Sequence, residues 1–216
     1  MTPVTSRAQG LVKRISLVIL PLVALTGSAS ADLAINEIFY DPPGSDAGNE
    51  WIELMNAGDQ NFDTTGLWLC VQPAYYALPA RVIPPGAYFL IRWNTSGTNS
   101  TTEVFTGSTG RQLESDDSVA LYTTNAFDDP DAIFDFIQWG AQNQPRSDVA
   151  DEAGIWDRFA FIGGAPEGQS LSLIPDGMDQ NSPAGWSVTE PTPGTGSVIP
   201  VVQETWGRIK VASSGE

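Results

Sequence analysis

The sequence predicts an all-β sandwich. Seven short stretches are rich in apolar residues, several of them alternating with a period of two. Gly, Pro, Asn and Asp separate them, and no segment carries a convincing helical stripe. The first strand is expected over residues 33–40. The second runs over 50–56, where Ile52 and Leu54 take one face and Trp51 and Glu53 the other. Asn56-Ala-Gly58-Asp closes it with turn residues. The third covers 67–72. Pro84-Pro85-Gly86 cannot continue a helix and leads into a fourth strand over 87–93. A fifth follows the acidic turn Glu114-Ser-Asp-Asp117 and spans 119–123. The sixth and longest spans 132–139, with Ile133, Asp135, Ile137 and Trp139 on one parity and Phe134, Phe136 and Gln138 on the other. The seventh covers 169–175. A turn or two of helix is expected near 148–153.

The N-terminus reads as an export signal, residues 1–31. Arg7, Lys13 and Arg14 form a basic start, and Ile15 to Leu25 is an apolar run too short to span a bilayer. Ala29-Ser-Ala31 offers a small-x-small cleavage site, so the mature chain is expected to begin at Asp32. No later segment is apolar enough to cross a membrane. Residues 32–194 form the predicted sandwich, and 195–216 a linker and short tail.

Composition narrows the function. The first 31 residues hold three of the ten Lys and Arg, which leaves seven bases against 26 acids, a formal −19 for residues 32–216. Such a charge repels a nucleic-acid backbone, so no nucleic-acid partner is expected. It suits an exported, soluble protein and suits cation binding. Cys70 is the single cysteine, so no intrachain disulfide forms and the fold rests on its core. About 165 residues suffice for that. Cys70 lies between Leu69 and Val71 and is expected to be a small buried hydrophobe.

The chain has no histidine, which excludes Ser-His-Asp and Cys-His catalysis and the usual zinc sites. No phosphate-cradling loop or dinucleotide fingerprint is present. Oxygen chemistry remains. Asp-rich turns occur around Asp41, Asp46, Asn49 and Glu50, at Asp128, Asp129 and Asp131, and at Asp176, Asp179 and Asn181. Each is first a backbone-bonding turn. Asp176, Asp179 and Asn181 are the best candidates for calcium, although none of the clusters has EF-hand spacing. No other cofactor is expected. Glu37, Glu50 and Glu53 are a conceivable acid–base set. Their place in or beside strands points instead to backbone hydrogen bonds or a solvent face. Most of the seven tryptophans read as core. Trp156, in a long polar insertion beside Phe159 and Phe161, is the candidate for a glycan or protein site, because loops on a rigid sandwich carry binding. Trp206, with Arg208 and Lys210, is a second candidate, in the tail.

Ile35-Asn-Glu-Ile-Phe-Tyr-Asp-Pro42, Glu50-Trp-Ile-Glu-Leu-Met-Asn-Ala-Gly58 and Gly66-Leu-Trp-Leu69 together resemble the opening of the lamin-tail domain. Ile83-Pro-Pro-Gly-Ala-Tyr-Phe-Leu-Ile91, Ser115-Asp-Asp-Ser-Val-Ala-Leu-Tyr122 and Asp135-Phe-Ile-Gln-Trp-Gly140 look like its following strands. Ser170-Leu-Ser-Leu-Ile-Pro-Asp-Gly177, Trp186 and Pro191-Thr-Pro-Gly194 look like its close. Residues 95–109 and 143–168 depart from the pattern as insertions. The resemblance implies an immunoglobulin-like sandwich of about seven to nine strands. It also implies a non-catalytic module of an exported bacterial protein, with a protein or glycan partner at the cell envelope or outside the cell. Two other readings stand beside it: a calcium-dependent adhesin or polysaccharide binder, and a metal-assisted phosphoester or glycoside hydrolase, since such modules often accompany exported nucleases and phosphatases.

Overall fold

Two sheets face one another across a single apolar core, and most of the strands that build them are the seven read from the sequence. The structure is a computed structural model that describes residues 33–197. Strands β1 (Leu33–Phe39), β2 (Trp51–Asn56), β7 (Tyr88–Arg92), β8 (Glu103–Phe105), β11 (Ser170–Leu173) and β12 (Trp186–Thr189) form one sheet in the order β12-β11-β1-β2-β7-β8. Strands β4 (Trp68–Val71), β5 (Ala74–Ala77), β9 (Asp117–Tyr122) and β10 (Ile133–Trp139) form the second, in the order β10-β9-β4-β5. A small third sheet pairs β3 (Phe62–Asp63) with β6 (Val82–Ile83). All pairings are antiparallel except β7 with β8. The expected helical turn is α1 (Ser147–Glu152).

Alternation sets the faces. Ile35, Ile38, Ile52, Leu54, Phe89, Ile91, Leu171 and Leu173 point from the first sheet into the core. Leu69, Val119, Leu121, Ile137 and Trp139 meet them from the second. Trp93 and Trp139 are fully buried, and each indole satisfies its N–H on a loop carbonyl: Trp93 on Arg111 (2.7 Å), Trp139 on Glu114 (2.9 Å). Gly140 follows Trp139 at φ 75°, and a Cβ there would lie 2.3 Å from the Ser115 carbonyl oxygen, so only glycine fits.

A polar bridge crosses the core. Asp135 on β10 accepts the Ile35 N–H (2.6 Å) where β1 shifts register between Ile35 and Glu37. The bulge frees that N–H from the β1 ladder, and the carboxyl reaches it from the opposite sheet. The shift also swings Asn36 into a buried position, where it accepts the Gly177 N–H (3.0 Å).

Candidate functional site

Two acids of the opening motif, Glu37 and Glu53, sit on the outer face of the six-stranded sheet. Glu37 and Glu53 are direct cross-strand partners in β1 and β2, and both are fully buried. The chain after β12 covers them. Glu37 accepts the Ser170 hydroxyl (2.5 Å), the Thr192 N–H (3.0 Å) and the Thr192 hydroxyl (2.7 Å). Glu53 accepts the Gly194 N–H (2.6 Å) and the Asn36 amide (3.2 Å). Asp176 accepts the Tyr88 hydroxyl (3.1 Å), the Ser197 N–H (2.9 Å) and the Asn36 amide (3.3 Å). Burial outweighs these bonds. It raises Glu37 above its ordinary value and pushes Glu53 up to about 8, with the charges of Glu37 and Asp176 adding to the rise.

Three further carboxyls are buried elsewhere. Burial pushes Glu50 up to about 8, and the Leu113 N–H (3.0 Å) is the partner of its Oε1. Asp117 rises to about 6 through burial, although Arg111 (2.8 Å) pairs with it. Asp135 is raised well above the carboxylate range by burial, then by the charge of Asp179.

This arrangement suits structure better than turnover. Glu37 and Glu53 are saturated by the protein's own donors and sealed from solvent. A groove of about 470 Å³ runs beside the covering segment, between Tyr88, Leu90, Arg92, Glu103, Pro193 and Gly194, and neither acid lines it. Sequence reading allowed these glutamates either backbone bonds or a solvent face. Glu53 and Glu37 take backbone bonds, but with a segment 141 and 155 residues away.

The open polar surface lies in the 143–168 insertion. Gln138, fully buried on β10, holds it by donating to the carbonyls of Arg158 (3.0 Å) and Ala160 (2.7 Å) and accepting the Gln144 N–H (3.0 Å). The Ser118 hydroxyl adds a bond to the Pro145 carbonyl (2.6 Å). Ile162 bridges to Trp139 and turns inward, which sends Phe159 and Phe161 outward, 56% and 42% exposed. Arg158 stacks on Phe159 at 5.0 Å.

The residues singled out from the sequence fall differently. Trp156 is a core residue and not a surface platform: it is 2% exposed, packs edge-on against Phe136, and donates to the Ala160 carbonyl (2.7 Å). The exposed aromatics of its loop are Phe159 and Phe161. No sequence pattern separates them from the core, since Phe159-Ala-Phe-Ile162 is apolar throughout. Asp176 and Asp179 have separate partners. Asp176 belongs to the Asn36–Tyr88–Ser197 group, while Asp179 accepts the Asn181 N–H (2.8 Å) and lies near buried Asp135. The Asn181 amide, oriented by its hydrogen-bond network, donates to Asp179 and to the Ile155 carbonyl. Among the described residues no three His, Cys, Asp or Glu side chains are grouped to hold a metal. Trp206 and the predicted export signal lie outside the described residues. Cys70 is buried as expected, and burial pushes its thiol up to about 11, far from a nucleophile's range. No helix among the described residues is long and apolar enough to cross a membrane.

Two packed, mostly antiparallel sheets with a covered outer face define an immunoglobulin-like β-sandwich. The Lamin Tail Domain profile matches residues 26–139, a little over half of the 216, and the chain belongs to that family. The match takes in β1 to β10, while β11 and β12 extend the same sheet beyond it. Comparison with curated proteins returned no match.

Proposed function

We propose that the protein is an exported, non-catalytic lamin-tail module that engages a partner at the cell envelope or outside the cell through its 143–168 insertion. One observation carries this reading. Phe159 and Phe161 are held outward on a loop whose backbone is fixed from below by Gln138. Exposed aromatics on a preorganised loop lose little entropy on binding, which is how a rigid sandwich presents a recognition surface. The family is one of immunoglobulin-like interaction modules, and the buried glutamates serve the fold. The acidic composition and the N-terminal segment support work outside the cell. The domain is taken to run over 32–194, with 195–216 as linker and tail.

The test is co-sedimentation of the full-length protein with an envelope preparation from its host. Wild type is expected to partition with the envelope. Phe159→Ser with Phe161→Ser is expected to weaken this at least tenfold while the melting temperature stays within about 2 °C, since neither ring is in the core. Equal partitioning of the two proteins sinks the reading.

A further inference from the structure

Beside Arg158 the insertion and the end of β4 enclose a groove of about 420 Å³. Gln72, Asn143, Gln144, Arg146, Ser147 and Arg158 contribute to its wall. It is rich in donors: three amides, a hydroxyl and two guanidinium groups. Asp148 is the only carboxylate along it.

The two arginines differ in their state. Arg146 is occupied: it pairs with Asp128 and donates to the Tyr75 hydroxyl (2.7 Å). Arg158 has no carboxylate within ion-pair distance among the described residues, in a chain of formal charge −16. The Nε of each arginine is buried without a hydrogen-bond partner, and the Arg158 guanidinium lies on the Phe159 ring. A shielded donor without an acceptor is costly, and such a group usually marks strain or a missing partner. The groove is also rigid. Asn143 (φ 58°) and Arg146 (φ 71°) hold left-handed backbone conformations that are costly for side-chain-bearing residues and persist where the surroundings enforce them. The enforcement is visible in the bonds from Gln138, in Ser118 to Pro145, and in Asn143 N–H to the Arg158 carbonyl (3.0 Å).

The chemistry of the wall identifies the ligand class. A lone guanidinium takes one carboxylate, bidentate. The amides of Gln72, Asn143 and Gln144 match hydroxyl groups. Phe159 lies against Arg158 outside the wall and offers an exposed apolar surface for ring C–H groups. The negative charge of the whole chain disfavours a polyanion and tolerates a ligand with a single negative group. We infer that this groove binds a saccharide through one carboxylate-bearing ring, a uronic acid unit, with Arg158 on the carboxylate. The inference rests on the insertion being the recognition surface, and it specifies what that surface recognises.

The experiment is a ¹⁵N-edited NMR titration of the full-length protein with methyl glucuronide, and separately with methyl glucoside and with acetate. Methyl glucuronide is expected to give saturable shifts at the amides of Asn143, Gln144, Arg146, Ser147, Asp148 and Arg158. Methyl glucoside and acetate are expected to bind at least tenfold more weakly. Arg158→Gln is expected to abolish the response, and Arg81→Gln, a control away from the groove, to leave it intact. Absence of saturable shifts, acetate binding as well as the glucuronide, or an unchanged Arg158→Gln response overturns the assignment. If the glucuronide is blank while envelope co-sedimentation persists, the uronate site is wrong and the interaction module stands. If both are blank, both are wrong.

Discussion

Gly194 donates its backbone N–H to Glu53 Oε2 at 2.6 Å across 141 residues of sequence. This bond fastens the end of the described chain to the middle of the six-stranded sheet. With Thr192 on Glu37 and Ser197 on Asp176, it turns an exposed sheet face into a covered one. Replacing Glu53 therefore separates two effects. Glu53→Ala strands the Gly194 N–H and leaves the Asn36 amide only its longer bond to Asp176 (3.3 Å), and is expected to cost about 2–4 kcal/mol. Glu53→Gln keeps an acceptor and is expected to cost less than half as much. Chemical denaturation of the two variants checks the order.

The covered face explains which parts of the fold were legible. The seven expected strands announce themselves because alternation and turn residues are local. β3, β6 and β8 are only two or three residues long, too short to show a period, while β5 and β12 have four residues, as β4 and β11 do, so length alone does not hide them. The fate of Glu37 and Glu53 depends on Thr192 and Gly194, and nothing near the glutamates in sequence reports that. Trp156 was misplaced for a related reason. A tryptophan in a polar insertion reads as exposed until Phe136 and the Ala160 carbonyl are known to enclose it. Arg158 carries no sequence signal, since its importance lies in lacking a carboxylate partner in space.

Stability is expected to fall as pH rises from about 5 to 8.5. Burial raises Glu50 and Glu53 from an ordinary 4.5 to about 8, and Asp117 from 3.8 to about 6. In each case the folded protein holds its proton more tightly than the unfolded chain. The resulting stabilisation is complete below the unfolded pKa and is lost as pH climbs through the folded one. A melting temperature several degrees higher at pH 5 than at pH 8.5 is the expected reading. Glu53→Gln removes one titrating group and is expected to shallow the slope. A curve that rises toward pH 8.5 contradicts the account.

Gly140→Ala is expected to destabilise the protein by about 2 kcal/mol or more, because the new Cβ meets the Ser115 carbonyl at 2.3 Å and the residue sits at positive φ. Gly154→Ala shares a positive φ (72°) without any close neighbour, and is expected to cost about half as much or less. Thermal unfolding of the pair distinguishes a clash from backbone preference alone.

The melting temperature is expected to be the same in excess calcium and in chelator, because the side-chain oxygens of Asp176 are already engaged by Asn36, Tyr88 and Ser197. A ligand that binds the folded state at a hundredfold excess over its Kd stabilises by about 2.7 kcal/mol, an easily seen shift. A rise of several degrees with calcium restores a metal site at these loops.

The location and N-terminus of the protein recovered from its own host separate an exported module from a cytoplasmic one. An exported module begins at Asp32 and is found in the envelope or the medium. A chain that begins at Met1 and stays in the cytoplasm contradicts export.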